Sequence, residues 1–316
     1  MDRSTLRRRA VAFAACAGLA ACTGDIGQGS FQPVCGGPGK ACVSGTIFGD
    51  SAGVNGTALG GATVSVDGTI FAQANQQGWF AASGVPAGSA VPLCVEDPSH
   101  VTRCRTVALS EGESLLLSDT RLMEKSAPAS QSGADYVGAA GGQITLAADA
   151  ACVAGVPASG VTCRLSPIDV AIPAQRQLAS GNFTGQTSGG AAVALETGAM
   201  MDIDCRDAAG ARVNVCPGKT AAVRIPILSG CADDVRLPST MTTWSFDESS
   251  GLWRQEAGSL AKTCAGDAGY YAGAVSHFSS WTAGQVIDAV TSIKGFVRSG
   301  TQPVEGALVH CDGTDY

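Results

Sequence analysis

The sequence predicts an all-β protein built from tandem β-sandwich modules. Three observations carry that expectation. Charged residues make up only 15% of the chain, too few to give long helices a solvated face. Forty-two glycines punctuate it at short intervals, as turn-rich β proteins require. The runs between them alternate, as in "ATVSVDG", "MDIDC" and "AAVRIPI", so that every second side chain can enter a core. At 316 residues there is room for about two domains.

The amino terminus comes first. "MDRSTLRRR" is basic, and residues 10–21, "AVAFAACAGLAA", form an apolar run of 12 residues, short of the roughly 20 that span a bilayer. A basic start, a short apolar run and small residues at its end have the layout of a secretory signal. The run closes on Leu19-Ala20-Ala21-Cys22, which resembles the lipobox of bacterial lipoproteins. The resemblance implies cleavage after residue 21 and lipidation of Cys22, which becomes the first mature residue and the membrane anchor. Acyl chains hold a protein to a membrane at about 0.8 kcal/mol per buried methylene, without a spanning helix. Thr23 in place of Asp after the cysteine points to the outer membrane or cell surface. Loss of residues 1–21 removes four Arg and one Asp and takes the net charge from −7 to −10. Such an acidic surface repels phosphate backbones and argues against a nucleic-acid partner.

The cysteines agree with export into an oxidising compartment. Of 13, Cys16 leaves with the signal and Cys22 takes the lipid. Proximity along the chain suggests the pairs Cys35/Cys42, Cys94/Cys104, Cys152/Cys163, Cys205/Cys216 and Cys231/Cys264, and leaves Cys311 over. The pair Cys205/Cys216 is drawn from "DCRDAAGARVNVC", which reads as a hairpin turning near Ala209-Gly210. None of the cysteines has the C-x-x-C spacing of a zinc ribbon or redox centre.

Residues 22–40, rich in Gly, Pro and small polar residues, read as a tether. Residues 41–123 read as about seven strands: "CVSGTIFGD", "GGATVSVDGT" with an Asp-Gly turn, "TIFAQANQQGWFAASGVPAG" with turns at Gln77-Gly78 and Pro86–Gly88, "VPLCVEDPSHVTRCRTVAL", and "ESLLLSDTRL". Gly45-Thr46-Ile47, Gly61-Ala62-Thr63-Val64, Gly78-Trp79-Phe80 and Val85-Pro86-Ala87-Gly88, in that order, resemble the carboxypeptidase regulatory-like domains. The resemblance implies a seven-stranded transthyretin-like sandwich with no catalytic residues of its own. Residues 124–136 read as a linker, and 137–285 as a second, larger β-sandwich. Within it, Trp244-Ser245-Phe246-Asp247, Gly251-Leu252-Trp253 and His277-Phe278-Ser279-Ser280-Trp281 resemble the β domain that accompanies a regulatory-like sandwich in cartilage intermediate layer protein and bacterial surface proteins. In residues 286–316, Ile293-Lys294-Gly295-Phe296-Val297 aligns with Val43-Ser44-Gly45-Thr46-Ile47, and the stretch from Gly306 with that from Gly61. The expectation is a truncated second regulatory-like module, the start of an array.

Chemistry is sparse. Gly49-Asp50-Ser51-Ala52-Gly53 matches G-x-S-x-G, but a nucleophile elbow needs a following helix, and no helical pattern follows. His100, His277 and His310 are the only histidines and are scattered, so neither a metal nor another cofactor is expected. Asp202 and Asp204 lie on one side of a strand, where a solvated face is the expectation and a calcium site the alternative. Trp79, Trp244 and Trp253 offer sugar-stacking platforms, against packing within the core or across the hairpin that Trp244 and Trp253 flank. The functional expectation is a non-catalytic, lipid-anchored surface protein serving as a structural, adhesion or spacer module. A carbohydrate-binding protein and the accessory domains of a larger enzyme or transporter are the alternatives. Its partners would be the membrane, through the lipid, and a surface glycan or protein.

Overall fold

The computed structural model of the chain describes residues 35–50, 56–117, 119–147, 149–231 and 237–287, with the backbone of 298–299 and 302–303. Cys22, Ser51, His310, Cys311 and nearly all of the expected C-terminal module lie outside the described residues. The fold is all-β. Among the described residues the helical elements are one short turn each, Ala139–Gly141 and Pro173–Arg176.

The first domain packs a five-stranded sheet on a four-stranded one. Lys40–Asp50 runs through the former, antiparallel to Trp79–Pro86 and parallel to Ser114–Leu116 and Thr120–Met123. Its alternation sends Ala41, Val43 and Ile47 into the core and Ser44, Thr46 and Phe48 outward. The four-stranded sheet runs Thr69–Gln73, Thr63–Val66, Gly88–Glu96, Arg103–Leu109. Asp67 and Gly68 turn its first hairpin with φ of +48° and +71°, the two left-handed residues of a primed turn. Val64, Phe80, Leu93, Val95 and Leu122 fill the space between the sheets.

The second domain is an eleven-stranded sheet that curls on itself. From Ser130–Ser132 and Asp135–Val137 it passes through Gln143–Thr145, Ala221–Ile227, Ala268–Val275 and Leu252–Ala265. The far wall comprises Thr240–Asp247, Ser280–Ile287, Ala192–Arg206 and Thr162–Ile168. The chain just before Ser130 closes the circuit: Pro128 bridges Arg164, and the Ala129 amide donates to the Cys163 carbonyl at 2.8 Å. Inside lie Ile144, Leu165, Met201, Ile203, Val223, Ile225, Tyr271 and Trp281. Residues 124–136, expected to be a linker, are thus wall rather than spacer. Their serines and glutamine suit an edge hairpin whose outward side chains meet water.

The far wall curls a second time. Thr184–Gln186, Ala192–Arg206, Ser280–Ile287, Thr240–Asp247 and Leu252–Ala265 each pair with the next, and the last pairs back with the first. This small ring encloses Trp244, Trp253, Leu195 and Met200. It closes because Gly185 has no side chain: a Cβ there would stand 2.8 Å from the Trp244 ring and 3.0 Å from Leu195. The wall shared by the two enclosures is buried on both faces, which is why Gly198–Met201 and Thr243–Phe246 are buried at successive positions.

Five disulfides are present. Cys35–Cys42, Cys94–Cys104 and Cys231–Cys264 pair as neighbours in sequence. The other two depart from the proximity reading: Cys152 pairs with Cys216, and Cys163 with Cys205. The chain does turn at Gly210 (φ +82°), with the Val213 amide donating to the Cys205 carbonyl. Cys205, however, stands directly opposite Cys163 on the adjacent antiparallel strand. Asn214–Val215 meanwhile pairs with Ala151–Cys152, which brings Cys216 beside Cys152. These bonds close 64- and 42-residue separations rather than hairpin loops. In the chain-entropy picture each alone is worth about 4 kcal/mol, against about 3 for a hairpin-sized loop. Peptide mapping under non-reducing conditions is expected to recover Cys152 linked to Cys216 and Cys163 linked to Cys205. Recovery of Cys152 with Cys163 would contradict the register.

Candidate functional site

The two domains meet where the small ring opens. Arg103–Leu109 is the edge strand of the first domain, and Cys94 and Cys104 are directly opposite on neighbouring strands. Their Cα atoms are 4.0 Å apart, the close spacing of a non-hydrogen-bonded pair, in which the edge residue aims its backbone groups outward. Both groups of Cys104 are taken by the second domain: the Gly181 amide donates to its carbonyl at 2.6 Å, and its amide donates to Ser180 Oγ at 3.2 Å. The disulfide itself packs in one buried cluster with Ile168, Val170, Phe246 and Trp253. Phe246 and Trp253 meet edge to face at 5.3 Å. Gly181 (φ +73°) lies against both, and a Cβ there would come within 2.8 Å of Phe246 and 3.0 Å of Trp253 Nε1. Beyond it, Thr106 Oγ1 donates to the Gly251 carbonyl at 3.3 Å. On the other face of the edge strand, Arg103 and Arg105 reach the Arg121 carbonyl and Thr120 Oγ1. Burial and the neighbouring Arg105 lower the Arg103 pKa to about 10, still charged at neutral pH. Inward-pointing charge of this kind protects a sheet edge against pairing with another chain.

The chain leaving the first domain runs as a strap beside this seam. The Lys125 amide donates to the Ser99 carbonyl, the Ser126 amide to Ser166 Oγ, and Arg164 to the Ser126 carbonyl at 2.8 Å. Lys125 Nζ sits 2.9 Å from Asp204 Oδ2, with only 11% and 12% of the two side chains exposed. Arg206 adds a second contact to Asp204 at 2.7 Å. Asp202 and Asp204 therefore do not form a solvated face: one carries ion pairs, and Ser280 Oγ donates to the other at 2.8 Å. Burial pushes the Asp202 pKa up to about 6, and the charge of Asp204 adds to the rise against Ser280, Lys125 and Arg212. For Asp204, burial acts upward, but Lys125 and Arg206 outweigh it and hold the carboxyl below its usual range. Among the described residues, no group of three or more His, Cys, Asp or Glu side chains is placed to hold a metal ion.

Two histidines are built into the structure. His100 is buried; its Nδ1 lies 2.7 Å from Asp97 Oδ1 and 3.0 Å from Ser99 Oγ, and its Nε2 packs against Gly49, where a Cβ would collide with it. His277 lies tilted over Trp281 at 4.8 Å, and burial lowers its pKa.

The three tryptophans divide. Trp244 and Trp253 are completely buried in the ring, so neither indole has a face for a sugar. The stacking role considered for them fails because the hairpin they flank is sealed by the ring and by the Cys94–Cys104 disulfide. Trp79 is 44% exposed. It lies on the outer face of the five-stranded sheet, opposite Thr46, and Leu116, 67% exposed, stands on the same face opposite Ser44. Asn75 Oδ1 accepts from the Gln77 and Trp79 amides and fixes the turn before it.

Ser180, Gly181 and Lys125 emerged only from the fold, as did the contact of Gly251 with Thr106. Gly181 and Gly251 follow turn-forming serines, which signals a turn without naming what it covers. The chain matches no family model and no curated protein.

The Asp202 carboxyl sets a pH dependence. Its folded-state pKa is raised, so its contribution to stability is full below about pH 4 and is lost as pH rises through 6. Asp204 and Asp247, whose pKa values are lowered, act oppositely and only toward acid. Asp202→Asn is expected to gain on the parent by on the order of 1–3 kcal/mol between pH 4 and pH 7 in denaturant titrations. An equal difference at both pH values would refute the assignment.

Proposed function

We propose that the chain is a non-catalytic, lipid-anchored surface protein that serves as a stiff structural, adhesion or spacer element. The observation that supports this reading is the seam. The two domains share a buried apolar cluster, two hydrogen bonds to Cys104 and a pinned strap, so the pair transmits position and force as one body. Relative domain motion is the default where an interface is small and polar; here a buried apolar cluster stands beside the hydrogen bonds. Five disulfides fit an oxidising compartment.

The lipid attachment follows from the Leu19–Cys22 sequence. Fed radiolabelled palmitate, a bacterial host expressing the full chain is expected to label the protein and retain it in the membrane fraction. Cys22→Ser is expected to lose the label and leave the membrane; label retained by that variant would overturn the anchor.

A second reading rests on Trp79. An exposed indole amid Thr46, Ser44 and Leu116 on a flat sheet suits the apolar face of a neutral sugar ring. Binding on a glycan array that falls at least tenfold in Trp79→Ala would support it. Binding unchanged in that variant, or none by the parent, would remove it.

A further inference from the structure

Arg121, Arg206, Arg212 and Arg254 each meet an acid: Asp50 at 3.9 Å, Asp204 at 2.7 Å, Glu248 at 3.4 Å and Asp247 at 3.2 Å. Arg103 and Arg105 do not. Among the described residues no carboxylate pairs with either guanidinium. Alternation puts both on the face of the edge strand that carries Val107 and Leu109, toward the space between the two sheets of the first domain. Opposite them on the neighbouring strand stand Val95 and Leu93, both buried. Their heads reach across the flank of the sandwich to Thr120–Met123, a strand of the other sheet.

The two heads converge. Arg103 donates to the Arg121 carbonyl at 3.3 Å and Arg105 to Thr120 Oγ1 at 3.4 Å, acceptors on consecutive residues. Burial lowers the pKa of both, and the charge of Arg105 lowers that of Arg103 further. Both bonds are long and go to neutral acceptors, so most of the guanidinium donors are uncommitted. Thr120, 3% exposed, accepts from Arg105 and keeps its own proton to donate. Guarding the sheet edge requires inward charge, but not two like charges side by side. Such a pair, partly withdrawn from water, repels itself until an anion joins it. A dianion that bridges both forks balances both charges, and guanidinium forks match the oxygens of phosphate in geometry. The chain as a whole carries a net charge of −7, so its field repels anions and any affinity here is local in origin.

We propose that Arg103 and Arg105, with the Thr120 hydroxyl, bind a phosphate dianion on the flank of the first domain, between Arg103–Leu109 and Thr120–Met123. The dianion is either inorganic phosphate or the phosphate of a monoester; both make the same contacts. The site lies on the opposite face of the edge strand from Cys104, and it rests on neither the lipid anchor nor the Trp79 face.

Inorganic phosphate is the probe, at a pH where it is dianionic, with chloride at equal ionic strength as the control. In amide-resolved NMR titrations of the full chain, phosphate is expected to shift the Arg103, Arg105, Thr120 and Arg121 signals saturably at millimolar concentration. Chloride is expected to shift none of them. Phosphate is also expected to raise the melting temperature of the parent above its value in chloride, a readout that needs no variant. Arg105→Gln keeps a donor for Thr120 and removes one charge; it is expected to weaken phosphate at least tenfold while signals from the second domain stay in place. Glucose 6-phosphate separates the two sources: binding as tight as phosphate assigns the site to an ester, and binding at least tenfold weaker assigns it to the free anion. Equal shifts with chloride, no saturable shift with phosphate, or an Arg105→Gln variant that binds as the parent does would overturn the proposal.

Discussion

The packing of Phe246 and Trp253 against the Cys94–Cys104 disulfide is the contact on which the rest of the structure turns. It joins the interior of a five-strand ring in one domain to the edge strand of the other. Truncating a buried aromatic of this kind costs about 3–5 kcal/mol, a large part of what a domain has to spare. Its geometry constrains its neighbours in turn. Gly181 and Gly251 hold left-handed conformations in turns pressed against the seam, and Gly185 gives up its side chain so that Trp244 can fill the ring. The edge strand of the first domain is covered where the second domain takes the backbone of Cys104, and Arg103 and Arg105 guard it on the other face.

Much of this was legible in the chain, and the limits of legibility are physical. Alternation announced Thr63–Val66 and Ala221–Ile227, and Asp67-Gly68 announced its own turn. Cys94 and Cys104 lie in adjacent strands of one hairpin, so nearness in sequence became nearness in space. Cys163 and Cys205 also face each other across a strand pair, but that pair forms between segments about 40 residues apart. Register between distant strands depends on the whole sheet, which no local pattern encodes. The tryptophans illustrate the same limit. Trp79 and Trp244 both sit in strands, but the second curl of the wall buries Trp244 while Trp79 stays on an outer sheet face. Asp202 and Asp204 read as a solvated face because nothing in "MDIDC" reveals that Lys125 will cross above it.

The account that emerges is of a body built to keep its shape. The strap and the shared cluster act on the same degree of freedom, the angle between the domains, while the long-range disulfides hold the second domain's own wall.

The central claim is that the two domains behave as one cooperative unit. Differential scanning calorimetry of the oxidised protein tests it most directly. A single transition over residues 35–287, whose calorimetric and van't Hoff enthalpies agree, is the predicted result. Two resolved transitions, each matching the enthalpy of one domain, would contradict it.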